Sequence, residues 1–521
     1  MEQGESLRPN VSRFADLIRI AARAAPQAAA LVCDGRTWTY GELMERARRL
    51  AAGLPALGLK PGDAVGILST NRPEYLEAYI GLQLAGLVAV PVNFRLAPAE
   101  VQYVLGNCEA RGLIVEDQYS EAVEGLLAEL PGLSGDAIVA IGEAAGGRLR
   151  YEELLARSTP LAEAAPLPPL APAVIFYTSG TTGFPKGATM SHLNMLTRLS
   201  SWGWEFGLNR EDVVLVPGPV FHGSFSGIAL TTLAVGGTVI LARDFDAAGA
   251  VELIEGHGIT WSFLVPKMIE LLTEALPPGA GRSLRGLLSS GSPLPQPLLD
   301  TILAKLPHVR LADAYGWTET GWLTICRHAD LARGKRSVGR PGFGCEVAIL
   351  GPDGKELGPG EVGEIHAANP VGFLGYHNNP EATKAARKGK WESGGDLGFM
   401  DEDGYLCLVD RKNDMIISGG ENIYPAEIER VLAQHPGIME VTVVGVPDEK
   451  WGESPRACVV LHPGEEANAH DIQSFCNGRL ARYKHPRSVI FLEALPRNAM
   501  GKVLRRELRQ RYAGEPRTTA A

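Results

Sequence analysis

The chain has 521 residues, 45% of them hydrophobic and 21% charged, with a formal net charge of −10 at pH 7. That is roughly three or four domains' worth of an ordinary soluble globular protein. The acidic balance excludes a nucleic-acid binder, whose surface must be basic. The seven cysteines (Cys33, Cys108, Cys326, Cys345, Cys407, Cys458, Cys476) stand singly, with no Cys-x-x-Cys. An odd, scattered count argues against a disulfide framework and for a reducing compartment. The opening Met-Glu-Gln-Gly-Glu-Ser is no secretory signal, and no run approaches the ~18 apolar residues of a membrane span. The closing Thr-Thr-Ala-Ala is no peroxisomal address. A cytoplasmic protein without an integral membrane segment is expected.

Residues 1–170 alternate helical patterns with short apolar strands. Thr39-Tyr40-Gly41-Glu42 is a capping box, followed on one helical face by Leu43, Ala47, Leu50 and Leu54. Strands are predicted over 64–68 and 87–92, with a helix over 75–85 between them. Such alternation implies right-handed crossovers and a parallel sheet. Nothing here carries chemistry, so the region reads as scaffold, and the Pro/Ala-rich 164–172 as a linker.

Residues 173–177 read as a buried strand that opens into Thr178-Ser179-Gly180-Thr181-Thr182-Gly183 and then Phe184-Pro185-Lys186-Gly187. Hydroxyls and backbone N–H groups in such a loop can wrap an oligophosphate. Glycines allow close approach, and Lys186 adds a mobile positive charge. The plain alternative is a polar turn with a solvated lysine. The loop is not a Walker A motif, because Lys186 follows Pro185 and precedes Gly187.

Beyond it, strands are predicted over 213–216, 238–242 and 259–265. Phe221-His222 and Leu288-Ser289-Ser290-Gly291-Ser292 lie at strand-to-loop transitions. The segment Asp313-Ala314-Tyr315-Gly316-Trp317-Thr318-Glu319-Thr320 has residue types that suit a nucleotide. Tyr315 offers a flat face for adenine. Thr318 offers a hydroxyl to phosphate, and Glu319 a carboxylate to Mg²⁺. By itself the segment would also pass for a loop with a Thr-Glu helix cap.

From 340 to 409, Pro/Gly turns punctuate short strands, predicting a small antiparallel β unit. Asp396 lies between glycines in Ser393-Gly394-Gly395-Asp396-Leu397-Gly398, where a carboxylate can accept from a ribose diol or cap a turn. A polar break at Asp410-Arg411-Lys412-Asn413-Asp414 precedes Gly419-Gly420 and a helix starting at Pro425, with Ile428, Val431 and Leu432 on its apolar face. The remainder reads as a small α+β domain. Near its end, Pro496-Arg497-Asn498-Ala499-Met500-Gly501-Lys502 forms a turn-rich loop before a basic helix.

These segments together, in this order over 173–502, resemble the adenylate-forming superfamily. The long Ser-Gly-Gly-Glu-Asn-Ile-Tyr-Pro run is most similar to its acyl-CoA synthetase branch, the fatty-acid or aryl-acid:CoA ligases. The resemblance implies an α/β fold. A large N-terminal domain (1–410) of stacked, parallel-rich αβα sheets and a small β unit would join, through a hinge (411–413), a small mobile α+β domain (414–521). It implies ATP, Mg²⁺ and coenzyme A as cofactors. A carboxylic acid would be activated to acyl-adenylate with release of pyrophosphate, then passed to the CoA thiol with release of AMP.

The residues are carried over by the same resemblance. Thr178, Ser179, Gly180, Thr181, Thr182 and Lys186 hold the departing phosphates. Gly291, Ser292, Asp313 and Tyr315 border the adenine. Thr318 and Arg411 contact phosphate, Asp396 the ribose, and Glu319 the metal. Lys502 bridges carboxylate and α-phosphate. Phe221 and His222 line and gate the acyl tunnel, with Trp202, Phe225, Gly291 and Trp317 around it. Gly316, where acetate-specific relatives carry a pocket-closing Trp, implies a medium-chain or aromatic acid larger than acetate. Gly419, Gly420 and Trp451 face CoA. The hinge position, normally Asp or Lys, is Asn413. A homodimer is allowed.

Two alternatives stand beside this reading. An amino-acid or carrier-protein-loading adenylation enzyme would show an amine-pairing Asp near Phe221, and none lies in 219–227. A catalytically silent nucleotide-binding homologue would not keep Lys502, Arg411, Glu319, Thr318 and Asp396 together.

Overall fold

The computed structural model describes residues 11–143, 147–178, 185–292, 294–334, 337–369, 372–411, 414–418, 421–448, 451–477, 479–480, 482–498 and 502–512, with Arg411, Glu421 and Asn422 described by their backbone. Ser179, Gly180, Thr181, Thr182, Asn413, Gly419 and Gly420 lie outside the described residues. The chain forms two compact units. One is drawn from Met1–Lys335, Pro341–Glu346 and Ala367–Glu392, the other from Arg336–Arg340, Val347–His366 and Ser393–Ala521.

The first unit is built as the alternation dictates. Thr39 caps the helix Tyr40–Gly53, its hydroxyl accepting from Glu42 N–H at 3.1 Å while Glu42 accepts from Thr39 N–H at 2.7 Å. Leu43, Ala47 and Leu50 are fully buried from that helix. It packs closely on the helix Pro73–Ala85, because a Cβ at Gly81 would lie 2.8 Å from Leu50 Cδ2. Truncating Leu50 to Ala there would cost about 2–5 kcal/mol. The second helix is buried on every side, and two of its polar side chains are held by partners, whereas the Tyr75 and Tyr79 hydroxyls and the Gln83 amide oxygen are buried without one among the described residues. Gln83 donates to Ala173 O at 2.9 Å, and Glu77 receives Arg46 at 2.6 Å and the Tyr151 hydroxyl at 3.1 Å.

An eight-stranded sheet runs, in spatial order, Gly375–Tyr376, Lys186–Ser191, Pro172–Thr178, Val88–Pro91, Ala64–Leu68, Gly112–Glu116, Ile138–Ile141 and Leu149–Arg150. Its centre is parallel, as the crossovers require. A second sheet places Gly321–Arg327, Arg310–Trp317, Gly286–Ser290, Trp261–Leu264, Val213–Val216, Thr238–Leu241 and Ala29–Cys33 side by side. Its centre too is parallel, with antiparallel pairing of the 310–317 and 321–327 strands toward one end and of Ala29–Cys33 with Arg36–Thr39 at the other.

In the second unit, antiparallel pairing of the Trp391–Met400 and Leu406–Arg411 strands realises the expected β unit. Farther along, Glu421–Ile423, Ile416–Ser418, Gly452–Leu461 and Ile438–Asp448 form a sheet in that order, with Ser488–Phe491 parallel to the 452–461 strand. The helix Pro425–Leu432 starts on its proline and buries Ile428 and Leu432. Five of the seven thiols are buried, and burial raises Cys33 and Cys345 to about 11 and Cys108 and Cys458 to about 12. Thiols so placed are packing residues. Among the described residues, no helix is long and apolar enough to cross a membrane.

Candidate functional site

The predicted phosphate loop is held at both ends by one antiparallel hairpin. Thr178 ends its first strand, Lys186 begins its second, and the two are register partners. The short strand Gly375–Tyr376 adds to the outer edge of that hairpin, with Tyr376 opposite Ala188 and His377 N–H donating to Gly187 O at 2.7 Å. This register sets the Tyr376 ring 5.2 Å from Lys186 Nζ, in cation–π contact. The Tyr376 hydroxyl donates to Glu319 Oε1 at 2.7 Å. Three segments distant in sequence therefore meet: the phosphate-loop lysine, the Thr318-Glu319 pair and an edge tyrosine. Burial, then the Glu319 carboxylate, raises the Tyr376 phenol above its ordinary range, so it stays a donor.

Thr318 and Glu319 form the tip of a β-hairpin between Arg310–Trp317 and Gly321–Arg327, not the helix cap that the sequence allowed. The Glu319 carboxyl is buried, at 9% exposure. Arg198, on the buried face of the helix His192–Phe206, donates from Nη2 to Thr318 O at 3.0 Å and fixes the tip from behind. Its Nε has no hydrogen-bond partner. Burial pushes this guanidinium down to about 10, with Glu319 and Glu392 pulling it back up. Glu392, paired with Arg387 at 3.2 Å, is pushed up to about 7 by burial, partly offset by Arg387.

A buried carboxylate with a hydroxyl donor on one oxygen fits a hard cation shared with phosphate oxygens. No group of three His, Cys, Asp or Glu side chains converges as a resident metal site among the described residues.

Asp313 lies one strand from Ser289, as its register partner, and its Oδ1 is buried without a hydrogen-bond partner. Burial holds its carboxyl up to about 7, with Ser289 working against the rise. Gly291 follows that neighbouring strand at φ +95°, a conformation that favours glycine, and Gly291 and Ser292 are exposed. Tyr315 stands edge-on to Trp317 at 6.0 Å, and Trp317 Nε1 is a buried donor without a partner.

Phe221 and His222 begin the helix Gly223–Val235, where His222 Nδ1 accepts from Ser224 N–H at 3.3 Å. Burial lowers His222 to about 4, so it is neutral at pH 7. Phe221 packs edge-on against Phe94 at 5.4 Å. Trp202 and Phe225 sit deeper. Trp202 stacks on Trp322 at 3.8 Å, and a Cβ at Gly227 would come within 2.2 Å of its ring. Phe225, fully buried, packs on Phe263 at 4.6 Å and on Gly218. Both are enclosed in an aromatic cluster.

The expectation that Gly316 leaves space for a deeper pocket needs correction. A Cβ at 316 would lie 1.9 Å from Gly321 O, inside the partner strand of a bulged pairing. Glycine is required here by backbone approach, so its small size is no measure of pocket depth.

In the second unit, Asp396 is the cross-strand partner of Arg411. Lys502 is exposed on a closed loop. Its N–H donates to Asn498 Oδ1 at 3.0 Å, and Asn498 N–H donates to Lys502 O at 2.8 Å. Trp451 is half-buried beneath the Arg487 guanidinium, 4.7 Å from its ring.

Sequence reasoning missed Arg198, Tyr376 and Glu392. For Arg198 a signal existed, since an arginine shares the apolar face of Met195, Leu199 and Trp202 at helical spacing. Tyr376 sits on a two-residue edge strand that carries no period, and Glu392 near the start of the Trp391–Met400 strand, where nothing in the sequence marks it.

The model of the AMP-binding enzymes matches residues 18–377, and that of the AMP-binding enzyme C-terminal domain matches 427–502. The chain is 37% identical to a fatty acid–[acyl-carrier-protein] ligase, ScoC, of Streptomyces coeruleorubidus, covering 97% of this chain and 98% of that protein. It is 38% identical to a feruloyl-CoA synthase of an Amycolatopsis species (94% and 97% covered). Among solved structures, o-succinylbenzoate CoA synthetase from Bacillus subtilis, bound to its acyl-adenylate intermediate, superposes with a TM-score of 0.85 at 31% identity (97% and 99% covered).

Proposed function

The chain belongs to the AMP-binding enzymes, in their adenylate-forming acyl-CoA synthetase branch, and on that premise we propose that it activates a medium-chain or aromatic acid larger than acetate. It is an ATP-dependent, AMP-forming acid:CoA ligase that uses ATP, Mg²⁺ and coenzyme A. The observation that carries the assignment of the site is the meeting of Lys186, Tyr376 and Glu319 beside Thr318.

The reaction has two halves. A carboxylate oxygen attacks the α-phosphorus, the bond to the bridging oxygen breaks, and pyrophosphate leaves. The thiol sulfur then attacks the acyl carbon, its proton passes to solvent, and AMP leaves. Two anions meet in the first half, so positioning and positive charge do most of the catalysis. Thr178, Lys186 and the loop between them hold the departing phosphates. Glu319 would hold the cation, kept in place by the Tyr376 hydroxyl. Thr318, its backbone pinned by Arg198, and Arg411 meet the α-phosphate. Asp396 takes the ribose, and Asp313, Tyr315, Gly291 and Ser292 border the adenine. Lys502 bridges the two reacting anions.

Phe221 and the neutral His222 form the mouth of the acyl site. Its inner wall is the Trp202–Phe225 cluster with Trp317, whose unpartnered indole N–H suits a polar substituent. The relatives' names, a feruloyl-CoA synthase and a long-chain-fatty-acid–CoA ligase, support an aromatic or fatty acid larger than acetate. Residues 1–410 and 414–521 would turn about 411–413 between the half-reactions, exchanging Lys502 for the CoA-facing Gly419, Gly420 and Trp451. We further place the protein in the cytoplasm as a homodimer, with exposed Trp204 and Phe343 as the face that would be covered; light scattering tests this.

Mass spectrometry of a reaction holding MgATP, CoA and a pool of aliphatic and aromatic acids tests the function. One acyl-CoA with AMP and pyrophosphate is expected; ADP or phosphate would contradict it. A second reading, with a carrier-protein thiol as acceptor, is favoured by the likeness to ScoC. It predicts acyl-AMP without acyl-CoA.

A further inference from the structure

Arg505 opens the helix Arg505–Tyr512, just after Lys502. That helix is anchored by Leu508 and Tyr512, packed with Val444, Val446, Cys458 and Val460. Leu504 N–H donates to Pro496 O at 2.8 Å, closing the Lys502 loop at its base. The loop, the helix and the strands beneath them therefore move as one body.

Arg505 gathers three carboxylates. Glu429 takes its Nη2 through both oxygens, at 2.7 and 2.6 Å, and Asp414 takes Nη1 at 3.1 Å. Glu429 is itself fixed by Val443 N–H at 2.7 Å and the Thr442 hydroxyl at 2.9 Å. Both acids lie on the C-terminal side of 411–413 and travel with Arg505. The third, Asp410, lies on the other side. It belongs to the 406–411 strand, opposite Leu397, and its Oδ1 is 3.4 Å from Arg505 Nη1. Its Oδ2 accepts from Ala426 N–H at 2.9 Å, in the first turn of the 425–432 helix, where a carboxylate is favoured. The Asp410 side chain is only 2% exposed.

We propose that the Asp410–Arg505 pair is a latch that holds one of the two orientations of residues 414–521, with Arg505 the positioning residue that joins the Lys502 loop to the turn at 411–413. The inference rests on the two-half-reaction reading above. A turn at 411–413 carries Asp410 away from Arg505 and Ala426. Breaking a buried pair is costly chiefly when a charge is left alone. Here Glu429 and Asp414 keep the guanidinium paired throughout, so the latch can open.

The test is Asp410→Asn, which keeps an acceptor for Ala426 and removes the charge. Two rates are measured with octanoate and ferulate: acid-dependent ATP–pyrophosphate exchange, and thioester formation from preformed octanoyl- or feruloyl-adenylate and CoA. The half-reaction run in the latched orientation slows and the other quickens, each by about fivefold, and Asp410→Glu restores the balance. Asp414→Asn, on the travelling side, moves the two rates together or not at all. Two rates that fall together in Asp410→Asn, or stay unchanged, overturn the latch, as does an opposed shift in Asp414→Asn. Lys502→Ala separates the two levels. If it spares thioester formation while Asp410→Asn moves both rates alike, the latch alone fails. If Lys502→Ala weakens both halves equally, the two-orientation reading fails and the latch falls with it.

Discussion

The Thr318-Glu319 tip and the Lys502 loop are both short turns that present one charged residue, yet they are held by opposite means. The first is buried. A guanidinium without a paired carboxylate grips its backbone, a tyrosine hydroxyl grips its carboxylate, and three raised or lowered groups crowd around it. The second is exposed, closed on itself by Asn498, and followed by a helix tied down through an ion-pair web. The contrast separates two tasks. A group that must keep one geometry is embedded, at the cost of desolvation, whereas a group that must arrive and leave rides on a rigid surface turn.

If that division holds, Glu319→Ala has the largest effect. Acid-dependent ATP–pyrophosphate exchange falls about a hundredfold or more, and a loss under threefold would break the comparison. Asp313→Asn sharpens it through stability. Between pH 4 and 7 the unfolded chain releases the Asp313 proton while the folded chain keeps it. Stability is therefore lost as pH rises through that window. The variant should be more stable than the parent at pH 8, with a ceiling of about 4 kcal/mol, and equal to it at or below pH 4 by denaturant titration. Arg198→Met removes a buried charge that has no carboxylate partner, so melting temperature holds or rises. Turnover nevertheless drops about tenfold as the Thr318 tip loosens. Tyr376→Phe is gentler: the Mg²⁺ concentration for half-maximal exchange rises about fivefold, the effect of losing one hydrogen bond worth about 1 kcal/mol.

Much of the fold is legible because it rests on local rules. The Thr39 capping box, the 64–68 and 213–216 strands and Pro425 at a helix start all appear where turn chemistry and periodicity put them. The site is legible where several residue types in one segment serve one ligand, as in 313–320. It is not legible where the reason lies in another strand. Gly316 is small because Gly321 O lies against it, and Tyr376 matters because its strand pairs with the phosphate hairpin. Trp202 and Phe225 look alike as pocket candidates in sequence, and only packing shows both enclosed in an aromatic cluster.

The most direct test of the division is Lys502→Ala assayed in each half-reaction separately. The account predicts that acid-dependent ATP–pyrophosphate exchange drops about a hundredfold or more. Thioester formation from preformed acyl-adenylate and CoA should stay within about twofold of the parent, since that half needs no bridge between two anions. Equal loss in both halves would contradict the account, because Lys502 would then be a fixed part of one site instead of a visitor to it.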